Sequence, residues 1–126
     1  MKPISGAACA LLILAAAGSA SAQSQGAAER GHQIFDKWCY GCHAPNPAKQ
    51  RPGGGLVGQV FAGTYTLQQR YQGAKPAALE QRTDLTGDYI RYVVRNGLNV
   101  MPRTRKTEIP DSDLDAVVAY LTRNNP

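Results

Sequence analysis

The side chains equipped for chemistry converge on one stretch, Cys39-Tyr40-Gly41-Cys42-His43. On a helical turn, residues three apart project to the same side, so both sulfurs can reach one flat group while the next residue brings an imidazole beneath its centre. C-x-x-C-H is the attachment signature of c-type haem, with two thioethers to the porphyrin vinyl groups and a histidine on the iron. Two other chemistries use part of the pattern. A thioredoxin-like thiol pair wants C-x-x-C between a strand and a helix in a βαβ context, which the flanking sequence does not offer. A structural zinc site wants a second C-x-x-C or paired histidines. Beyond the motif, the chain holds only Cys9 and His32.

A haem iron has a sixth position, and its occupant separates electron carriers from gas- or peroxide-binding proteins. Besides Met1, Met101 is the sole methionine; it stands before Pro102, 58 residues after His43. A thioether is a soft ligand that favours reduced iron and raises its potential. The competing reading of Met101 is a flexible core filler. His32 is the rival ligand, but it lies on the stretch leading into the motif and belongs to the proximal side, where it reads as a surface or helix-crossing residue.

The setting of the motif follows from the N-terminus. Lys2 precedes an Ala/Leu/Ile-rich run from Ala7 to Ala17 and then the small residues Gly18 to Ala22, the pattern of a secretory signal peptide over residues 1–22 cut after Ala22. The run falls short of the roughly 20 apolar residues of a membrane-spanning helix, so no integral membrane segment is expected after cleavage, and the protein is expected in the periplasm. Cys9 precedes the main apolar stretch, so it leaves with the leader and does not begin a lipoprotein. The expected domain, residues 23–126, carries 13 Lys and Arg (all but Lys2) against nine Asp and Glu, a formal charge of +4. The signs are interspersed, with no basic tail of the kind that grips nucleic acid. Its apolar content falls slightly below the roughly 45–50% of ordinary domains, so a cofactor is expected to complete the core.

The elements that must position these residues read as helices. Ile34, Phe35 and Trp38 share one face, and Leu114, Val117, Val118 and Leu121 repeat with helical spacing. Thr66 to Tyr71 reads as a short helix, and Pro76 to Glu80 as a further turn with proline at its start. Thr86 can cap a helix with Tyr89, Ile90, Val93 and Val94 on its apolar face and Gly97 as its stop. Asp111 is expected to cap the last helix, with Asp113 and Asp115 favourable in its first turn. No segment alternates convincingly as a strand, so the expected class is all-α, several short helices around one haem. The prolines at 45, 47 and 52 and Gly53-Gly54-Gly55 read as a loop that allows close backbone approach to the porphyrin.

Taken together, these stretches resemble the class I cytochrome c family over nearly all of the chain after the leader. Gly31 to Trp38 looks like its first helix running into the haem motif, and Leu114 to Leu121 like its last. The resemblance implies that the two cross closely at Gly31, that Phe35 and Tyr120 pack there, and that Met101 is the distal ligand. It also implies that a proline carbonyl, with Pro52 the nearest match, orients His43. One covalently attached haem c, held by Cys39 and Cys42 and ligated by His43 and Met101, would leave the iron no site for substrate. The expected function is therefore reversible one-electron transfer and not catalysis by this chain. A haem peroxidase or gas sensor would need an open or displaceable distal site.

The segment Arg70 to Leu85, followed by Val93 to Leu98 and Met101-Pro102, is similar to the small cytochrome subunits of bacterial flavocytochromes that oxidise 4-alkylphenols such as 4-cresol or eugenol. That similarity implies an FAD-containing flavoprotein subunit as electron donor and a downstream acceptor protein. A free cytochrome serving another dehydrogenase or a terminal oxidase is the alternative. Arg103, Arg105 and Lys106, just after Met101, are expected near the haem edge, where they would steer an acidic partner; a solvated basic loop or a partner for the haem propionates is the other reading.

Overall fold

A computed structural model describes residues 17–46, 49–50 and 56–126. The stretch expected as a leader lies outside them up to residue 16, as do Pro47, Pro52 and Gly53 to Gly55. The helices are α1 (Ala17–Trp38), α2 (Tyr40–His43), α3 (Ala62–Tyr71), α4 (Gly87–Asn96) and α5 (Asp111–Thr122), with a 3-10 turn at Leu79–Gln81. Among the described residues, β-structure is confined to a two-residue antiparallel ladder, β1 (Lys49–Gln50) on β2 (Leu56–Val57), and a single bridge between Leu98 and Met101. Short runs without alternation could not announce these pairings.

The frame is the crossing of α1 and α5, the most extensive contact between helices in the protein. Gly31 makes it possible: a Cβ there would collide with the Ala116 backbone and lie 2.7 Å from Tyr120 Cβ. One turn on, Phe35 is fully buried, with its ring 5.7 Å from that of Tyr120. His32 stacks on the same tyrosine at 4.9 Å, and Arg30 pairs with Asp113 across the crossing. The expected Gly31, Phe35 and Tyr120 contacts are all present. Trp38 departs from expectation, being 46% exposed with the Lys37 ammonium over its ring. A large ring with a polar N–H tolerates such half-wet positions at a helix end.

Helix α4 carries the strongest local instructions. The Thr86 hydroxyl accepts from the Tyr89 N–H at 3.3 Å, and Gly97 ends the helix at φ +75°. Ile90 and Val94 point into a core shared with Phe35, Leu85, Ile109, Leu114, Val117, Tyr120 and Leu121. Helix α3 begins at Ala62, four residues before the expected start, and the 3-10 turn begins three residues after Pro76. At α5 the cap is corrected: Pro110 occupies the capping position and no side chain caps the helix. The Asp111 carboxylate is taken instead by Arg95 at 2.9 Å and Lys106 at 2.7 Å. Its charge still suits the helix N-terminus, as does that of Asp113. Beyond α5, Asn124 and Asn125 donate side-chain hydrogen bonds to the Glu80 and Leu85 carbonyls at 3.2 and 2.7 Å.

Candidate functional site

Helix α1 runs into the motif without a loop. The Cys39 N–H donates to the Phe35 carbonyl at 2.8 Å, and the Cys42 and His43 N–H groups donate to the Cys39 carbonyl at 3.0 and 2.9 Å. This single turn aligns both sulfurs and the imidazole on one wall of a cavity of about 300 Å3. Met101 lines the same cavity, so the four residues singled out in the sequence share one chamber. His32 is not among its lining residues; it borders a separate surface hollow beside Tyr120 and Arg123.

The chamber grows out of the core. Phe35, Leu85, Ile90, Val94, Val117 and Leu121 belong to both, so the floor is aliphatic and aromatic. Water gains little from such a surface, and a large flat apolar ligand gains much. A bulky apolar occupant therefore suits this space.

Helix α3 seats the imidazole. A Cβ at Gly63 would lie 2.7 Å from His43 Cε1, 2.9 Å from its Nδ1 and 2.8 Å from the Cys42 carbonyl oxygen, so only glycine lets α3 close against the ring. Next to it, the buried Thr64 hydroxyl donates to the Ala44 carbonyl at 2.7 Å and ties α3 to the end of α2. Burial pushes the His43 imidazole below its ordinary value, keeping the ring neutral as a metal ligand must be. Burial, and then the nearby Cys42, push the Cys39 thiol up to about 11. Cys39 and Cys42 are free thiols in this structure, not a disulfide. His43 Nδ1 is buried and has no hydrogen-bond partner among the described residues. The orienting carbonyl expected at Pro52 falls outside them.

Met101 is held by backbone. Leu98 and Met101 exchange hydrogen bonds at 3.1 and 2.9 Å around a tight turn with Asn99 at φ +53°, and the Thr104 N–H reaches the Val94 carbonyl at 2.7 Å. Gly97 admits this return, because a Cβ there would lie 2.7 Å from the Met101 carbonyl oxygen.

One wall residue was missed in the sequence. Arg82 is 5% exposed and lines the chamber. Its Nε and Nη2 donate to Asp84 at 2.5 and 2.9 Å, its guanidinium lies 4.9 Å from the centre of the Tyr71 ring, and Lys75 donates to the same carboxylate. Arg82, and after it Lys75, hold the Asp84 carboxyl well below the usual carboxylate range. A buried cation with one carboxylate partner leaves guanidinium donors for an anion entering the chamber. Two soft sulfurs, a neutral imidazole, a thioether, an apolar floor and one cationic wall fit a haem with its carboxylates. No group of three or more His, Cys, Asp or Glu among the described residues could hold a separate metal ion.

Comparison with known proteins gives a family and a relative. The sequence profile of the family described as cytochrome c oxidase, cbb3-type, subunit III matches residues 26–121. The cytochrome c subunit of 4-cresol dehydrogenase [hydroxylating] from Pseudomonas putida is 30% identical over 110 residues, covering 87% of this chain and 72% of that protein. No solved structure matches. Among the described residues, no helix is long and apolar enough to cross a membrane. The chain belongs to the c-type cytochrome family, haem-binding electron-transfer proteins with the class I cytochrome fold.

Proposed function

We propose that the chain is a periplasmic mono-haem cytochrome c, exported by a signal peptide over residues 1–22, that accepts single electrons from an FAD-containing subunit of a 4-alkylphenol dehydrogenase and hands them to a downstream acceptor protein. The observation that carries the reading is the convergence of Cys39, Cys42, His43 and Met101 on one apolar chamber. In it Cys39 and Cys42 would hold the porphyrin through thioethers, and His43 and Met101 would be the axial ligands. Bound haem supplies a reversible ferric/ferrous couple. The chain's own part is to keep that couple closed and dry. Gly63 and Thr64 fix the imidazole, the Leu98 to Met101 turn presents the thioether, the aliphatic floor excludes water, and Arg82 is placed to meet a haem carboxylate. With His43 and Met101 both holding the iron, the protein would carry electrons without transforming a substrate.

The 4-cresol dehydrogenase relative supports the flavoprotein donor. The cbb3-type oxidase name of the matching family favours the second reading, a carrier between another dehydrogenase and a terminal oxidase. The test begins with the optical spectrum of the purified protein. A low-spin c-type haem in both oxidation states, with the weak near-infrared band of methionine-ligated ferric haem, is expected; a Met101→Ala protein that keeps that band would refute the ligand. Anaerobic mixing with an FAD-containing 4-cresol dehydrogenase subunit and 4-cresol should then reduce the haem. If that flavoprotein leaves it oxidised, the second reading prevails.

A further inference from the structure

Asn96-Gly97 is the sole Asn-Gly pair in the sequence, and it falls where α4 ends and the chain turns toward Met101. Such a pair has a chemistry of its own. The side-chain amide carbon of an asparagine comes within reach of the next residue's backbone nitrogen, and glycine puts no side chain in the way. Asn99, which shares the segment, precedes Val100, whose branched side chain obstructs the same approach. Asn96 is exposed, so water and base have access to it.

The fold holds both reacting groups. Asn96 Nδ2 donates to the Tyr92 carbonyl at 2.8 Å, and the Gly97 N–H donates to the Val93 carbonyl at 2.8 Å. Attack needs the Gly97 nitrogen stripped of its proton and the Asn96 side chain turned away from Tyr92, so both bonds must break first. The last turn of α4 is therefore a lock. It is braced by the Thr104 N–H on the Val94 carbonyl and by the bridge between Leu98 and Met101. Helix ends of this kind open locally at a fraction of the cost of global unfolding.

Resting for its spectral readout on the Met101 ligation proposed above, we infer that Asn96 is a deamidation site gated by this end of α4: shielded while the Met101 turn is packed, and reactive when the turn opens. The deprotonated Gly97 nitrogen attacks Asn96 Cγ, the bond from Cγ to the side-chain nitrogen breaks, and ammonia leaves a succinimide. Water opens that ring at either carbonyl, giving aspartate or, with the chain rerouted through Cβ, isoaspartate. Water is taken up and ammonia released, with no electron exchanged. Either product works against the turn. Its carboxylate sits at the C-terminal end of α4, where the macrodipole disfavours negative charge, and it cannot donate to Tyr92. Isoaspartate also lengthens the backbone beside Gly97, where there is no room. A Cβ on that glycine would already lie 2.7 Å from the Met101 carbonyl oxygen and 3.0 Å from the Arg103 nitrogen. The bridge that presents the thioether is displaced, and a passing opening becomes permanent.

The test incubates the purified holo-cytochrome in mildly alkaline buffer, with and without denaturing urea, and follows Asn96 by peptide mass mapping and isoaspartyl methyltransferase labelling. Conversion should be at least about tenfold slower in the folded protein than in urea. Loss of the methionine-linked near-infrared band should track the converted fraction, and Asn96→Gln, which closes the ring far more slowly, should keep its band through the same incubation. Equal conversion rates with and without urea overturn the gate, and an Asn96 that stays intact even in urea overturns the site. Converted protein, separated by charge, that retains the full band overturns the consequence for Met101. A fresh wild type without the band refutes the ligand alone, because conversion and its shielding are read by mass whatever holds the iron.

Discussion

On the histidine side of the chamber, three contacts among the described residues lean on helices: Cys39 continues the hydrogen bonding of α1, Gly63 abuts the His43 ring, and the Thr64 hydroxyl ties α3 to Ala44. On the methionine side, Met101 hangs on one backbone bridge and one further bond, in a segment that carries two residues at positive φ. The iron's strong ligand is thus expected on the stiff wall and its weak, potential-setting ligand on the pliable one. Disturbance should reach the methionine bond first.

Substitutions can break or sharpen this contrast. The largest effect is expected from Gly63→Val, which drives a branched side chain into His43 and the Cys42 carbonyl. We expect a loss of about 3 kcal/mol of unfolding stability by chemical denaturation, together with a disturbed low-spin spectrum. An unchanged protein would mean that the histidine wall yields as easily as the other. Gly97→Ala should cost about 2 kcal/mol because its backbone conformation suits glycine almost alone. Its signature is selective: the methionine-linked near-infrared band weakens while the thioether-bound haem spectrum persists.

Thr64→Val keeps shape but strands the buried Ala44 carbonyl, for about 1–2 kcal/mol, and should leave the methionine band untouched. The smallest effect belongs to the Arg82 wall. Arg82 and Lys75 lower the Asp84 pKa, so the carboxylate's contribution is present above its unfolded value near 3.9 and is lost as pH falls below it. Asp84→Asn should therefore lower the denaturation midpoint at pH 7 and make progressively less difference below pH 4. A difference that grew in acid would reverse this sign. Because Asp84 is partly exposed, solvent screening keeps the effect modest.

How much was legible beforehand follows the same division. Cys39, Cys42 and His43 declare themselves because their spacing is local, and Thr86 and Gly97 bracket α4 for the same reason. Gly31, Phe35 and Tyr120 were placed by family resemblance, since a helix crossing has no linear spacing. Gly63 was hidden because a glycine in a first helical turn reads as a poor helix former, which delayed the expected start of α3. Its use appears only when the ring beside it is seen. Arg82 could not be found, because a buried cation is defined by Tyr71, Asp84 and the chamber around it. Asp111 had the right type for a cap, but two cations compete for it.

The two asparagines beyond α5 have a consequence for biosynthesis. Cys39 to His43 are translated well before Asn124 and Asn125, which fasten the Glu80 and Leu85 walls. With α5 also following the motif in the chain that it helps to enclose, the chamber cannot close until α5 and the two asparagines have been made. Until those segments dock, the motif remains reachable, and the order of elements along the chain sets the order in which anchor and pocket come together.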